Sequence, residues 1–263
     1  MAGLAKTTRF MIGAATLMLG SQSSLYNLKP STNSIGLVKN VTMSSDPVFT
    51  NLTQGPTNSL VYSMLTGNPV KISAEVFEYT AQNLAYGLCL DGTGIAAQTI
   101  TTTTTAIIDG SPTPTGNVTV ASSAGMVAGT TYIMIDASGG TADDDIIVRK
   151  VLTVTDGTHI VVTPLIAVDV ASGAVVTVVN AVDVGSTAAN SNPFLSAKVV
   201  GQLADGTSAV ILFPKVRVTK GFTMAFNAEQ YGNLPFEIEV YDLVPADTFY
   251  SDFPNSKSRL FTK

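Results

Sequence analysis

Tryptophan is absent, and histidine and cysteine occur once each. A single cysteine, Cys89, excludes an internal disulfide framework. It lies in the apolar stretch "NLAYGLCL" and reads as a small buried hydrophobe. The single histidine, His159, follows the Asp156-Gly157 turn signal with no base or metal partner beside it. No Gly-x-Ser-x-Gly elbow, phosphate loop or cluster of metal-spaced ligands is present. The chain is therefore expected not to be an enzyme, and it calls for no cofactor and no metal. Charge is scarce as well. Charged residues make up 13% of the chain and apolar residues 45%, with a net charge of −5. An acidic, charge-poor chain has no global attraction for nucleic acid. Sparse charge with much Thr, Val, Ala and Gly suits a β protein whose surface is covered by assembly.

A second scarcity is local. The chain has 11 Phe and 8 Tyr, yet between Asp91 and Asn190 only Tyr132 occurs. The glutamates (Glu75, Glu78, Glu229, Glu237, Glu239) also lie outside that window. Aromatics supply much of a core's burial, so a segment almost without them implies a separate, small core. The expected organisation is a discontinuous main domain, residues 1–93 and 191–263, interrupted by an inserted β domain at 94–190. The Thr-rich stretch Asp91 to Gly116 and the small polar stretch Val184 to Pro193 read as linkers. Within the insert, "NVTVAS", "AGMVAGTTYIMIDA", "DDIIVRKVLTVTD", "HIVVTPLI" and "AVVTVVNA" read as short strands. Ser138-Gly139-Gly140, Asp156-Gly157 and Ser172-Gly173 mark the turns between them. Asp143 to Asp145 lack the ligand spacing of a calcium loop and read as an exposed acidic turn.

The main domain alternates strand signals with one helix. Lys6 and Arg9 before an apolar run from Phe10 to Gly20 imitate a secretory signal. The run is too short to span a membrane and can equally form a strand. "GLVKNVTMSSD" and "SLVYSMLTG" are strand-like, with a long loop from Pro47 to Leu60 joining them. In "KISAEV", Ile72, Ala74 and Val76 alternate. A helix starts near Thr80 as N-cap, carries Leu84, Tyr86 and Leu88 as its stripe, and ends at Asp91-Gly92. After the insert come "SAKVVGQL", "SAVILFPKVRVTKG" and a closing hairpin. In that hairpin Phe222, Met224 and Phe226 face Phe236, Ile238 and Val240. The fold class is mainly β: a β-sandwich or barrel with one helix, plus a small all-β insert.

Three of these stretches together resemble the major tail tube proteins of tailed bacteriophages. They are "GLVKNVTMSSD" with its following loop, "VKISAEVFEYTAQNLAYGLCL", and "VTKGFTMAFNAEQYGNLPFEIEVY". The resemblance covers most of 25–93 and 195–243, and the insert departs from the family's smaller core. It implies a tail-tube-like main domain and a structural virion protein made in the host cytoplasm. Subunits would form homohexameric rings, stacked into a tube beside neighbouring tail proteins. DNA would pass through the lumen during ejection without specific binding. Under that reading Glu237 and Glu239 are lumen-facing candidates, since weakly negative walls repel phosphate. The other reading pairs them with Lys215 and Arg217 across the sheet. Phe249, Tyr250, Phe253 and Phe261 are candidates for an extended C-terminal arm lying on a neighbouring subunit. The insert is expected on the tube's exterior. An extracellular β-rich adhesin or surface-layer protein is the alternative that composition leaves open.

Overall fold

The structure, a computed structural model, describes residues 11–54, 56, 58–93, 95, 98–137, 145–185, 193–203, 205–223 and 232–262. It is mainly β, made of curled antiparallel sheets. The chain divides into two compact units, residues 1–95 with 183–263, and residues 96–182. Composition alone sets the insert's bounds at 94 and 190.

The run that imitates a signal peptide contains strand β1 (Met11–Ser21). Leu17, Met18 and Leu19 are all fully buried. A strand covered on both faces keeps continuous rather than alternating apolar character. A 3₁₀ turn (Gln22–Asn27) and the one-turn helix α1 (Pro30–Asn33) lead to β2 (Val38–Ser45). Next come β3 (Val48–Gln54), where the sequence suggests a loop, and β4 (Ser59–Gly67), the strand-like "SLVYSMLTG", paired as a hairpin. Val, Phe, Leu and Thr favour extended chain there. Their spacing lacks the strict alternation that a half-buried strand shows, so the pattern does not announce β3.

Strand β5 (Val70–Val76) alternates as expected, with Ile72, Ala74 and Val76 buried. Helix α2 (Ala81–Gly87) follows, and the Asn83 N–H donates to the Thr80 hydroxyl at 3.1 Å. The buried Asn83 amide donates to the carbonyls of Ile35 (2.9 Å) and Glu78 (2.8 Å). The helix stops at Gly87, earlier than Asp91-Gly92, and Cys89 turns the chain away at φ +60°. Gly87 meets Gly221 in a close approach: a Cβ on Gly87 would lie 2.7 Å from the Gly221 carbonyl oxygen. Of the expected stripe only Tyr86 is buried, beside Ala85, while Leu84 and Leu88 are half-buried. Cys89 is half-buried too, so it is not the core residue that its apolar neighbours suggest. Burial pushes its thiol pKa up.

The unit at 96–182 contains β6 (Thr101–Thr103), β7 (Thr115–Thr119), β8 (Tyr132–Asp136), β9 (Ile146–Val154), β10 (His159–Ile166) and β11 (Val175–Val179). The order is β6-β11-β8-β9-β10-β7, all antiparallel. A bridge between Thr104 and Val120 brings the two ends of this sheet together. The core is aliphatic, with Ile133, Ile135, Val151, Ile160, Val162 and Val176 among its members and no aromatic ring. The Thr-rich stretch read as linker thus supplies a strand, as β-branched residues allow. Asp143 and Asp144 lie outside the described residues, and Asp145 is exposed.

Strands β12 (Leu195–Leu203), β13 (Ser208–Lys220), β14 (Leu234–Val240) and β15 (Arg259–Phe261) complete the main sheet. Its order is β1-β12-β13-β14-β5-β2, with β15 added on β13. The expected closing hairpin is corrected: β14 pairs with β13 and β5, and residues 221–223 are not strand. Met224 and Phe226 lie outside the described residues. One sheet face carries the core, including Leu17, Ile72, Phe213, Phe236 and Ile238, with Tyr86 over it. On the other face Leu212 packs with Leu25, Phe249 and Phe253.

Candidate functional site: assembly surfaces

The C-terminal segment differs from the extended arm expected of it. Phe249 and Phe253 are buried in their own chain, and Phe249 meets Tyr26 edge-on at 5.3 Å between ring centroids. Tyr250 and Phe261 are exposed, and Phe261 belongs to β15. A buried ion pair fixes the segment to the sheet, Lys215 Nζ to Asp247 Oδ2 at 2.8 Å. Burial pushes the Asp247 carboxyl pKa up. The Lys215 ammonium, the Val244 N–H and the Gln22 amide outweigh that and hold it below the usual carboxylate range. Sequence reasoning misses this latch because its two charges are far apart in the chain and only the fold joins them.

Lys215 is therefore not a partner of Glu237 or Glu239. Pro214 sits where the β12–β13 register shifts, and Val216 then stands opposite Leu195 of β12 on one side and Val240 of β14 on the other. Arg217 then stands opposite Glu239, as the ion-pair reading expects. Its guanidinium stacks on the Phe194 ring, 3.9 Å from the centroid. The carboxylates have other cations nearer. Lys220 Nζ lies 3.0 Å from Glu237 Oε1, and Lys71 Nζ lies 3.6 Å from Glu239 Oε1. The Tyr241 hydroxyl donates to Glu239 Oε2 at 3.2 Å. Burial, and then that carboxylate, raise the tyrosine's pKa. On the neighbouring pair of strands, Lys39 faces Glu75 in register. Glu237 and Glu239 are thus rungs of a charge ladder across β13, β14, β5 and β2, on the face opposite the main core. Alternation along β14 places them on one face; the cations come from three other segments.

The β3–β4 hairpin is a different kind of surface. It forms a two-stranded sheet of its own, and all its strand residues are exposed except the half-buried Gly67. Val48, Phe49, Leu52, Leu60, Val61, Tyr62, Met64 and Leu65 are each 51–62% exposed. No charged residue occurs between Val48 and Gly67. Natural edge strands usually carry charges that block strand addition. A two-stranded ribbon is marginal alone in water, and this one keeps its apolar side chains in solvent. Its sequence signal is the charge-free stretch between Asp46 and Lys71.

In the unit at 96–182 the sole histidine gains a partner. His159 Nδ1 lies 2.8 Å from Asp156 Oδ2, and both side chains are more than half exposed. The Thr158 N–H and the His159 ring, with smaller help from the Thr158 hydroxyl and His159 N–H, lower the Asp156 pKa to about 2. The pair caps a hairpin turn. Among the described residues no group of three or more His, Cys, Asp or Glu side chains comes together to hold a metal. Among them, too, no helix is long and apolar enough to cross a membrane.

No known protein family matches this chain, and no curated protein sequence shows significant similarity to it.

Proposed function

We propose that the chain is a structural subunit that assembles with copies of itself, and that the assembly is the tube of a bacteriophage tail. The observation that carries the self-association is the β3–β4 ribbon: uncharged, exposed and rich in large apolar side chains. Monomeric proteins seldom leave so large an apolar surface in water. The tail-tube reading adds to this the resemblance of residues 25–93 and 195–243.

In such a tube the laddered face of β13, β14 and β5 is the candidate lumen wall. Its carboxylates lie beside lysines, so DNA meets a mosaic of charge and not a negative band. A wall of this kind neither captures phosphate through counterion release nor strongly repels it. Neighbouring tail proteins at the tube ends, and a place in the virion after synthesis in the host cytoplasm, belong to the same proposal.

Sedimentation and negative-stain electron microscopy of the full chain test it. Rings or hollow tubes are expected. A chain that stays monomeric at millimolar concentration overturns the reading. Solid filaments without a channel overturn the tube while keeping self-association.

A further inference from the structure

Lys215 of β13 is buried, 7% exposed, and it serves two segments that are far apart in the chain. Its Nζ lies 2.8 Å from Asp247 Oδ2 in the C-terminal segment. The same atom sits over the Phe194 ring, 4.5 Å from the centroid. Phe194 directly precedes β12 and follows the connection that returns from the insert. Two further bonds tie both ends to the end of β1. The Gln22 amide donates to Asp247 Oδ1 at 3.1 Å, and the buried Ser196 hydroxyl donates to the Ser21 carbonyl at 2.8 Å. The contacts thus close a circuit through Ser21 and Gln22, Asp247, Lys215, Phe194 and Ser196. Tyr241 meets the ring edge-on at 5.4 Å, and Arg217 shares the ring with Lys215.

A buried ammonium is stable only through what compensates it. Here the compensation comes from one carboxylate and the negative face of one ring. If the ring withdraws, water reaches the ammonium and screens its attraction for Asp247. If the carboxylate withdraws, Lys215 and Arg217 are left as like charges on one ring, and their repulsion unseats it. Each partner's place therefore depends on the other's, through a lysine that both share. The C-terminal segment is the part able to move. Residues 241–258 contain no strand or helix. The segment's buried rings, Phe249 and Phe253, pack with Leu25 and Leu212 in a cluster apart from the main core. A segment held by a small cluster and one latch opens at a lower free energy than the sheet beneath it.

We infer that Lys215 is the keystone of a conformational relay. Seating of the insert's return connection at Phe194 and docking of the C-terminal segment at Asp247 are one coupled event. Drawing Phe194 away undocks the segment and uncovers Phe249 and Phe253, and undocking the segment loosens Phe194. The relay works within one chain and needs no assembly.

Hydrogen exchange of the full chain, read by mass spectrometry, tests it. Phe194→Leu removes the ring and leaves every atom of the C-terminal segment in place. Exchange over 247–253 is expected to speed up at least about tenfold. Phe194→Tyr keeps the ring and is expected to match the parent. In a second background, Lys215→Met and Asp247→Leu replace the ion pair by an apolar one, which keeps the segment docked without the shared charge. There Phe194→Leu is expected to change exchange over 247–253 by less than about twofold. If that background is already undocked, the Phe194→Leu and Phe194→Tyr results in the parent decide alone. Protection in β5 and β14 reports the rest of the sheet and is expected to hold throughout. If Phe194→Leu loses that protection, Phe194→Met, whose flexible thioether refills the ring's place, is judged by the same limits. Segment exchange within about twofold of the parent after loss of the ring overturns the relay. So does an equal acceleration in the apolar background, which would show a general loosening that bypasses Lys215.

Discussion

Asp156 shows how an exposed residue can still be set by its surroundings. Its carboxylate accepts the Thr158 N–H at 2.7 Å and the His159 N–H at 2.8 Å, closing the β9–β10 turn. Because the folded-state pKa of about 2 lies below the ordinary aspartate value of 3.8, the ionised form favours the folded turn. That contribution is fully present above pH 3.8 and is lost as pH falls through about 2. A carboxyl-detected titration by nuclear magnetic resonance should place the Asp156 midpoint near 2, and Asp156→Asn should remove the acid-dependent loosening of the hairpin. A midpoint near 4 would show that the turn does not hold the anion. At this scale the legible features are local ones. Thr80 caps its helix and Asp156-Gly157 turns its hairpin because each acts on backbone within three residues. Lys215 is the contrary case, since its partner Asp247 comes from the far side of β14 in the chain.

At the scale of elements, alternation reads well wherever one face is buried and the other wet. β5 and β14 follow it residue by residue, with Ile72, Ala74, Phe236 and Ile238 inward and Lys71, Glu237 and Glu239 outward. It fails at the β3–β4 ribbon, whose two faces are equally exposed, and at β1, where both faces are covered. The register of β14 between β13 and β5 makes the charge ladder testable. Changing Glu237 and Glu239 to Lys sets lysines against Lys220 and Lys71. Two partly exposed pairs are involved, so the loss should be on the order of 1 kcal/mol, seen as a few degrees in melting temperature. Adding Lys71→Glu and Lys220→Glu should restore it. If the fourfold change melts no higher than the twofold one, the carboxylates act outside the ladder. If the twofold change melts normally but its assemblies retain DNA in a salt-dependent way, the same carboxylates matter to the channel.

At the scale of the whole molecule, each unit draws the ends of its own sheet together. In the main unit the Met18–Ser34 bridge holds the chain just before β2 against β1, and in the insert the Thr104–Val120 bridge joins the ends of the sheet. Composition shows the division, because a core built of Ile and Val without rings has to be a separate core. It does not show the closure, which depends on pairing residues outside any long strand. Replacing residues 96–182 by a short Gly/Ser linker should leave the remainder folded, with circular dichroism and melting close to the parent, and able to assemble. A folded remainder that cannot assemble would show that assembly needs the insert and would contradict the expectation that it decorates the exterior. The insert's first and last strands, β6 and β11, lie side by side, with Thr101 opposite Thr177 and Gln98 bonded to Asn180 at 3.1 Å. The chain therefore comes in and leaves at the same end of one antiparallel pair. Tension applied through the two connections opens that pair rung by rung, as a zipper opens, and does not shear its rungs together. Under mechanical load this module would yield at low force and lengthen the chain, absorbing strain as a compliant spring.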